Sequence, residues 1–143
     1  MDDSNKIKAL EWYKKAGHDI EAVKILLEKD GPCDVAGVLL QQGIEKYLKG
    51  YLISKGWKLK KIHDLKVLLD EAIGYNPSFS RYYDLVDVLT QYYFEEKYPF
   101  GETEISLEDI EEGLEGIQGL IDFIKDGLKE NRLCLKEQTY IKS

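Results

Sequence analysis

The chain has 143 residues, 43% of them hydrophobic and 33% charged, with a formal net charge of -7. That length suits one domain with its own core; the apolar content is too high for a disordered chain, and no apolar run nears the roughly 20 residues that cross a bilayer. The negative balance speaks against general polyanion binding, and two cysteines, Cys33 and Cys134, in no metal-ligand spacing argue against a disulfide framework or a zinc centre.

The opening segment MDDSNKIKALEW lacks a basic stretch followed by an apolar one, so a cytoplasmic protein without membrane attachment is expected. Ala9, Tyr13, Ala16, Ile20, Val23 and Leu27 keep the 3,4 spacing of one helical face, which predicts a first helix over about 5–29 with Ser4 as N-cap. Asp30-Gly31-Pro32 ends it. A second helix over about 34–55 turns Ala36, Leu40, Ile44, Tyr47 and Tyr51 inward, with Gly43 and Gly50 at the edge, where missing side chains let another helix come close. Gln42, Glu45 and Lys49 project to the opposite side, and Glu45 with Lys49 makes the favourable acid-before-base pair of a solvated face.

Asp64 caps a third, shorter helix over 65–73, with Leu65, Leu68, Leu69 and Ala72 inward. Asn76-Pro77-Ser78 breaks the chain, and Ser80 is the expected cap of a fourth helix over about 81–96, facing inward with Leu85, Val88, Leu89 and Tyr92. Ser106 and Asp109 form a variant capping box for a fifth helix running to about Glu130. Leu107, Ile110, Leu114, Ile117, Ile121, Ile124 and Leu128 give it a heptad seam for long antiparallel packing, inside the bundle or across a dimer. No segment alternates with period two. The expected fold is all-α: an up-and-down four-helix bundle with an additional short helix, one domain with its core over about 5–130 and a C-terminal tail at 131–143.

Charge is unevenly placed. Residues 101–130 hold ten acids and two bases, net -8, whereas residues 55–66 hold five lysines against Asp64, net +4. One basic patch on an acidic body suits a specific anion or partner. Common enzyme motifs are missing, and carboxylates such as Glu108 and Glu112 have no histidines at the spacing a di-metal site needs, so no metal is expected. His18 reads as a partly exposed structural residue. His63 precedes a helix N-terminus, which favours anions, and follows Lys58, Lys60 and Lys61. Trp57 could stack on a base beside these lysines or plug the bundle end, and the plug is preferred.

The order WYKKAGHDIEAVKILL, VLLQQGIEKYLKGYLISKG, IHDLKVLL and YYFEEKYP resembles the HEPN domain family over about residues 8–128. Its most specific piece, QQGIEKYLKGYL, is similar to the family pattern QQAxEKxLKaxL with Gly43 in place of the usual alanine. His63 matches the H-x-L step, and Tyr93, Lys97, Tyr98 and Pro99 resemble the tyrosine-plus-ARYP segment. The resemblance implies a five-helix fold, homodimers, and pairing of small members with minimal nucleotidyltransferases in two-component or toxin-antitoxin systems. It also implies nucleotide binding, with ATP as candidate ligand and no required cofactor, and in many members a metal-independent ribonuclease using R-x4-6-H.

That last motif is absent here. Arg81 is followed at those distances by Val86, Asp87 and Val88, Arg132 by Glu137, Gln138 and Thr139, and Lys97 replaces the arginine before Tyr-Pro. RNA cleavage by this route needs a proton acceptor and a cation on the scissile phosphate, and lysine lacks arginine's two-pronged donor. Nucleotide or partner binding is therefore preferred over an endoribonuclease toxin acting on RNA or a purely structural dimerisation module, and catalytic residues stay unassigned. The binding candidates are Gln41, Lys46, Trp57, Lys58, Lys61, His63, Tyr93, Lys97 and Tyr98.

Overall fold

A computed structural model describes residues 3–97 and 104–130, with side chains over 4–92 and 104–127. The helices among the described residues are, in order, α1 (Asp3–Glu28), α2 (Cys33–Ser54), α3 (Leu65–Tyr75), a short 3₁₀ turn (Pro77–Tyr82), α4 (Tyr83–Lys97) and α5 (Leu107–Glu130). The fold is thus the expected all-α bundle of four long helices and a short one, and no strand occurs among the described residues.

α2 is the axis of the bundle, packed against α1, α3, α4 and α5. Its central position explains why it is buried nearly all round: Ala36, Leu40, Ile44 and Tyr47 face the core as expected, and Leu48, Leu52 and Ile53 are covered as well. The two glycines do what their spacing suggests. At Gly50 an added Cβ would fall 2.6 Å from Tyr13 Cε1 and 3.2 Å from the Ala9 carbonyl oxygen, and at Gly43 one would fall 2.7 Å from Ile20 Cδ1. Both face α1, which lies close along this side and buries Ala9, Tyr13, Ala16, Ile20 and Val23.

Helix ends follow local chemistry, with several differences from the sequence expectation. α1 begins at Asp3, so Ser4 lies inside its first turn. It ends with Asp30, not Gly31, in the left-handed region (φ 53°), while the Gly31 N–H reaches back to the Leu26 carbonyl at 2.7 Å and the Asp30 N–H to that of Leu27 at 3.4 Å. This pair of bonds is the Schellman arrangement, in which a left-handed residue after the helix lets two following amides close on orphan carbonyls. Asp64 caps α3 by accepting from the Lys66 N–H at 2.9 Å, and Ser106 with Asp109 forms the reciprocal box at the start of α5.

Ser80 does not cap α4, because it lies within the 3₁₀ turn that Asn76 initiates by accepting from the Ser78 N–H. That turn winds with three residues per turn and sets the phase in which α4 starts. Accordingly Val86, Leu89 and Tyr92 are the buried stripe, Leu85 is half-buried and Val88 is exposed. On α5, Ile110, Ile117, Ile121 and Ile124 are buried with Leu120, but Leu107 at the first turn is exposed. Leu128's side chain lies outside the described residues.

At the end of the bundle near the α2 C-terminus, Phe79 is fully buried and meets Tyr51, Tyr82 and Phe123 with ring centroids 4.5, 6.4 and 4.9 Å away. Arg81 covers the cluster, 4.9 Å from the Phe123 centroid, and donates to the Ser78 carbonyl. Burial raises the Tyr51 and Tyr82 phenols above their usual pKa. α3 and α4 are clasped by Tyr83 Oη donating to Asp70 at 2.6 Å and by the Lys66–Asp87 ion pair at 2.7 Å. No described helix is long and apolar enough to cross a membrane.

Candidate functional site

The side chains with most chemistry lie along one flank of the α1/α2 pair and on the connector between α2 and α3. Lys46 on α2 reaches Asp19 on α1 at 2.6 Å. One turn further on, Lys49 pairs with Glu45 at 3.0 Å and lies over the Trp12 ring, 5.6 Å from its centroid. Lys49 is only 4% exposed. The Glu45/Lys49 side of α2 is therefore a covered polar flank and not the solvated face that helical projection suggests. The cause is Trp12, whose large ring extends the α1 contact over positions that a smaller residue would leave in water. A charge withdrawn from water in this way needs its partner, and both lysines have one.

The connector joins this flank through His63, whose Nδ1 lies 3.2 Å from Glu45 Oε2, the same oxygen that accepts from Lys49. The imidazole is 77% exposed, so Glu45 links a covered lysine on one side to a surface histidine on the other. Lys58, Lys60 and Lys61 are exposed and make no ion pair among the described residues. Lys60 Nζ lies 6.0 Å from the Trp57 ring centroid. Lys55 sits over Tyr51 at 5.6 Å, and Lys66 is held by Asp87, whose hydrogen bond and charge raise its pKa. Leu59, exposed among these lysines, adds an apolar point to a basic surface.

Of the sequence candidates, His63 and Lys46 are brought to adjacent α2 positions, His63 through Glu45. Lys58 and Lys61 lie on the same connector as His63. Trp57 is 9% exposed with its Nε1 unpartnered among the described residues, which is the plug geometry and leaves no free face for a base. Gln41 is 7% exposed, makes no hydrogen bond among the described residues and lies about 140° round α2 from Lys46, away from the flank. Tyr93 and Lys97 belong to the backbone of α4, but their side chains, and all of Tyr98, lie outside the described residues.

Trp12, Asp19, Glu45 and Lys49 are the residues sequence reasoning missed as a group. Their signal was there: Trp12 and Asp19 stand seven apart on α1, and Gln42, Glu45, Lys46 and Lys49 share one side of α2, so two polar stripes could meet. No group of three or more His, Cys, Asp or Glu side chains is placed to hold a metal among the described residues. Cys33 is a half-buried free thiol; Cys134 lies outside the described residues.

A family model for the HEPN domain matches residues 9–128. No curated protein and no solved structure matches the chain.

Proposed function

The chain belongs to the HEPN domain family, and from that premise we propose that it is a binding subunit rather than a nuclease, taking the phosphates of a nucleotide such as ATP on its basic connector and pairing with a minimal nucleotidyltransferase in a two-component or toxin-antitoxin system. One observation carries this reading: the exposed lysines that have no carboxylate partner among the described residues are most crowded on the connector, at Lys55, Lys58, Lys60 and Lys61. Lys46, Lys49 and Lys66 have carboxylate partners, whereas Lys58, Lys60 and Lys61 have none among the described residues. Exposed cations beside His63 and the N-terminal end of α3 are the groups that a phosphate seeks. An acidic surface of a protein partner would find the same charges.

The nuclease alternative has little to work with. Besides lacking R-x4-6-H, the chain commits Arg81 to the Phe123 ring and the Ser78 carbonyl. Calorimetric titration with ATP and capture of a minimal nucleotidyltransferase by the tagged protein test the proposal. Saturable heat that weakens with added salt, or retention of the enzyme, supports it. Silence in both experiments overturns it.

A further inference from the structure

We infer that Glu45 couples the phosphate site to a proton, by holding His63 so that its ring can donate to a phosphate only as imidazolium. The inference rests on the nucleotide reading and adds to it how that binding is regulated. His63 Nδ1 lies 3.2 Å from Glu45 Oε2. An ionised carboxylate only accepts, so Nδ1 carries a proton. In the neutral ring the other nitrogen, Nε2, is then a bare acceptor, which a phosphate oxygen avoids. A second proton turns Nε2 into a charged donor on the same connector as Lys58, Lys60 and Lys61.

The carboxylate is the fixed member of this pair. Its Oε2 also accepts from Lys49 at 3.0 Å, the Lys49 and Glu45 side chains are 5% and 12% exposed, and Lys49 lies over the Trp12 ring. A lysine withdrawn from water cannot give up its counter-ion without a large penalty, so Glu45 does not turn away to follow the connector. The His63 side chain is 77% exposed, and with Nδ1 on Glu45 the opposite edge of the ring is the one left to solvent. Position therefore passes from the packed lysine through the carboxylate to the ring, the way a carboxylate partner selects the tautomer of a histidine. The other charges nearby are engaged elsewhere or positive. Asp64 accepts from the Lys66 N–H, Lys66 pairs with Asp87 of α4, and Asp19 of α1 is taken by Lys46. Lys61 is exposed and makes no ion pair among the described residues. Among the described residues Glu45 is the one carboxylate bonded to His63.

Calorimetry of ATP binding to the intact chain at about pH 7.5, in two phosphate-free buffers of different ionisation heat, reads the protons exchanged. The wild type should take up about half a proton or more per ATP, since free imidazole is mostly neutral at that pH. The sign is diagnostic, because a cationic site drives protons off the nucleotide's own phosphates. His63→Gln should lose the uptake. Glu45→Gln keeps an oxygen for Lys49 but lets its amide donate to Nδ1, so a neutral ring can offer Nε2–H to the phosphate. Uptake should then fall at least about twofold while ATP still binds. Nitrogen NMR of the ATP-free wild type above about pH 8 should show His63 as the Nδ1–H tautomer. An Nε2–H tautomer, ATP heat without proton uptake, uptake that survives in His63→Gln or uptake unchanged in Glu45→Gln would each overturn the inference and leave the nucleotide reading standing. The tautomer and the His63 variant decide it even where Glu45→Gln is too unstable to titrate. No ATP heat at all sinks the nucleotide reading, and this inference with it.

Discussion

Lys49 and Lys58 carry the same charge nine residues apart, yet one is nearly covered by Trp12 and bonded to Glu45 while the other is exposed with no ion-pair partner among the described residues. The same contrast separates the whole α1/α2 flank from the connector. On the flank, charge is part of the packing: Asp19 with Lys46 and Glu45 with Lys49 let polar positions of a central helix lie against a neighbour. On the connector, charge is left available to something outside the chain. In a small helical protein without a recognisable catalytic motif, that division is a better guide to function than the count of lysines.

Removing one partner of a covered pair leaves the other uncompensated, which costs far more than the pair itself contributes. Glu45→Ala should therefore give the largest effect on the flank, a loss of about 3 kcal/mol seen as a lower urea midpoint at unchanged slope. It strands the Lys49 ammonium under Trp12 and also frees His63. A loss below about 0.5 kcal/mol, the range of ordinary surface changes, would erase the distinction between flank and connector.

The bundle was legible because its signal is the repeated 3,4 spacing of apolar residues, which α1, α2 and α3 obey nearly residue by residue. The covered flank was not, because helical projection treats each helix alone, and only the meeting of α1 with α2 shows that Trp12 reaches Lys49. The phase of α4 escaped for a related reason: Ser80 is as good a cap as any, but the chain winds as a 3₁₀ turn before the α-helix begins. The site residues divide in the same way. His63 could be singled out from its place before a capped helix, whereas its acceptor, Glu45, needed the fold.

The glycines sharpen the flank from its other edge. Both Gly43 and Gly50 would gain about 1 kcal/mol of helix propensity on replacement by alanine. At Gly50 the new methyl meets the Tyr13 ring and the Ala9 carbonyl, neither of which can move without shifting α1. At Gly43 its one close contact is the flexible end of Ile20. Gly50→Ala should lose about 2 kcal/mol net, since overpacking costs up to about 3, and Gly43→Ala should stay within about 0.5 kcal/mol of the parent. Thermal melts of the two variants check this, and equal losses would show that the helices are not closest at Gly50.

The connector should respond in the opposite sense, with the smallest change in stability and the clearest change in binding. Lys58→Ala with Lys61→Ala removes two exposed side chains that make no ion pair among the described residues and should shift the unfolding free energy by less than about 0.5 kcal/mol. If their charge meets phosphate, ATP affinity falls by about tenfold, equivalent to about 1.4 kcal/mol. Lys46→Ala is the matched control, because it removes a lysine already bonded to Asp19 and leaves that carboxylate uncompensated between α1 and α2. It should lower stability while sparing ATP binding. Should Lys46→Ala abolish binding and the connector pair leave it intact, the division between balanced and available charge would be reversed, and the ligand would have to lie against the helical flank.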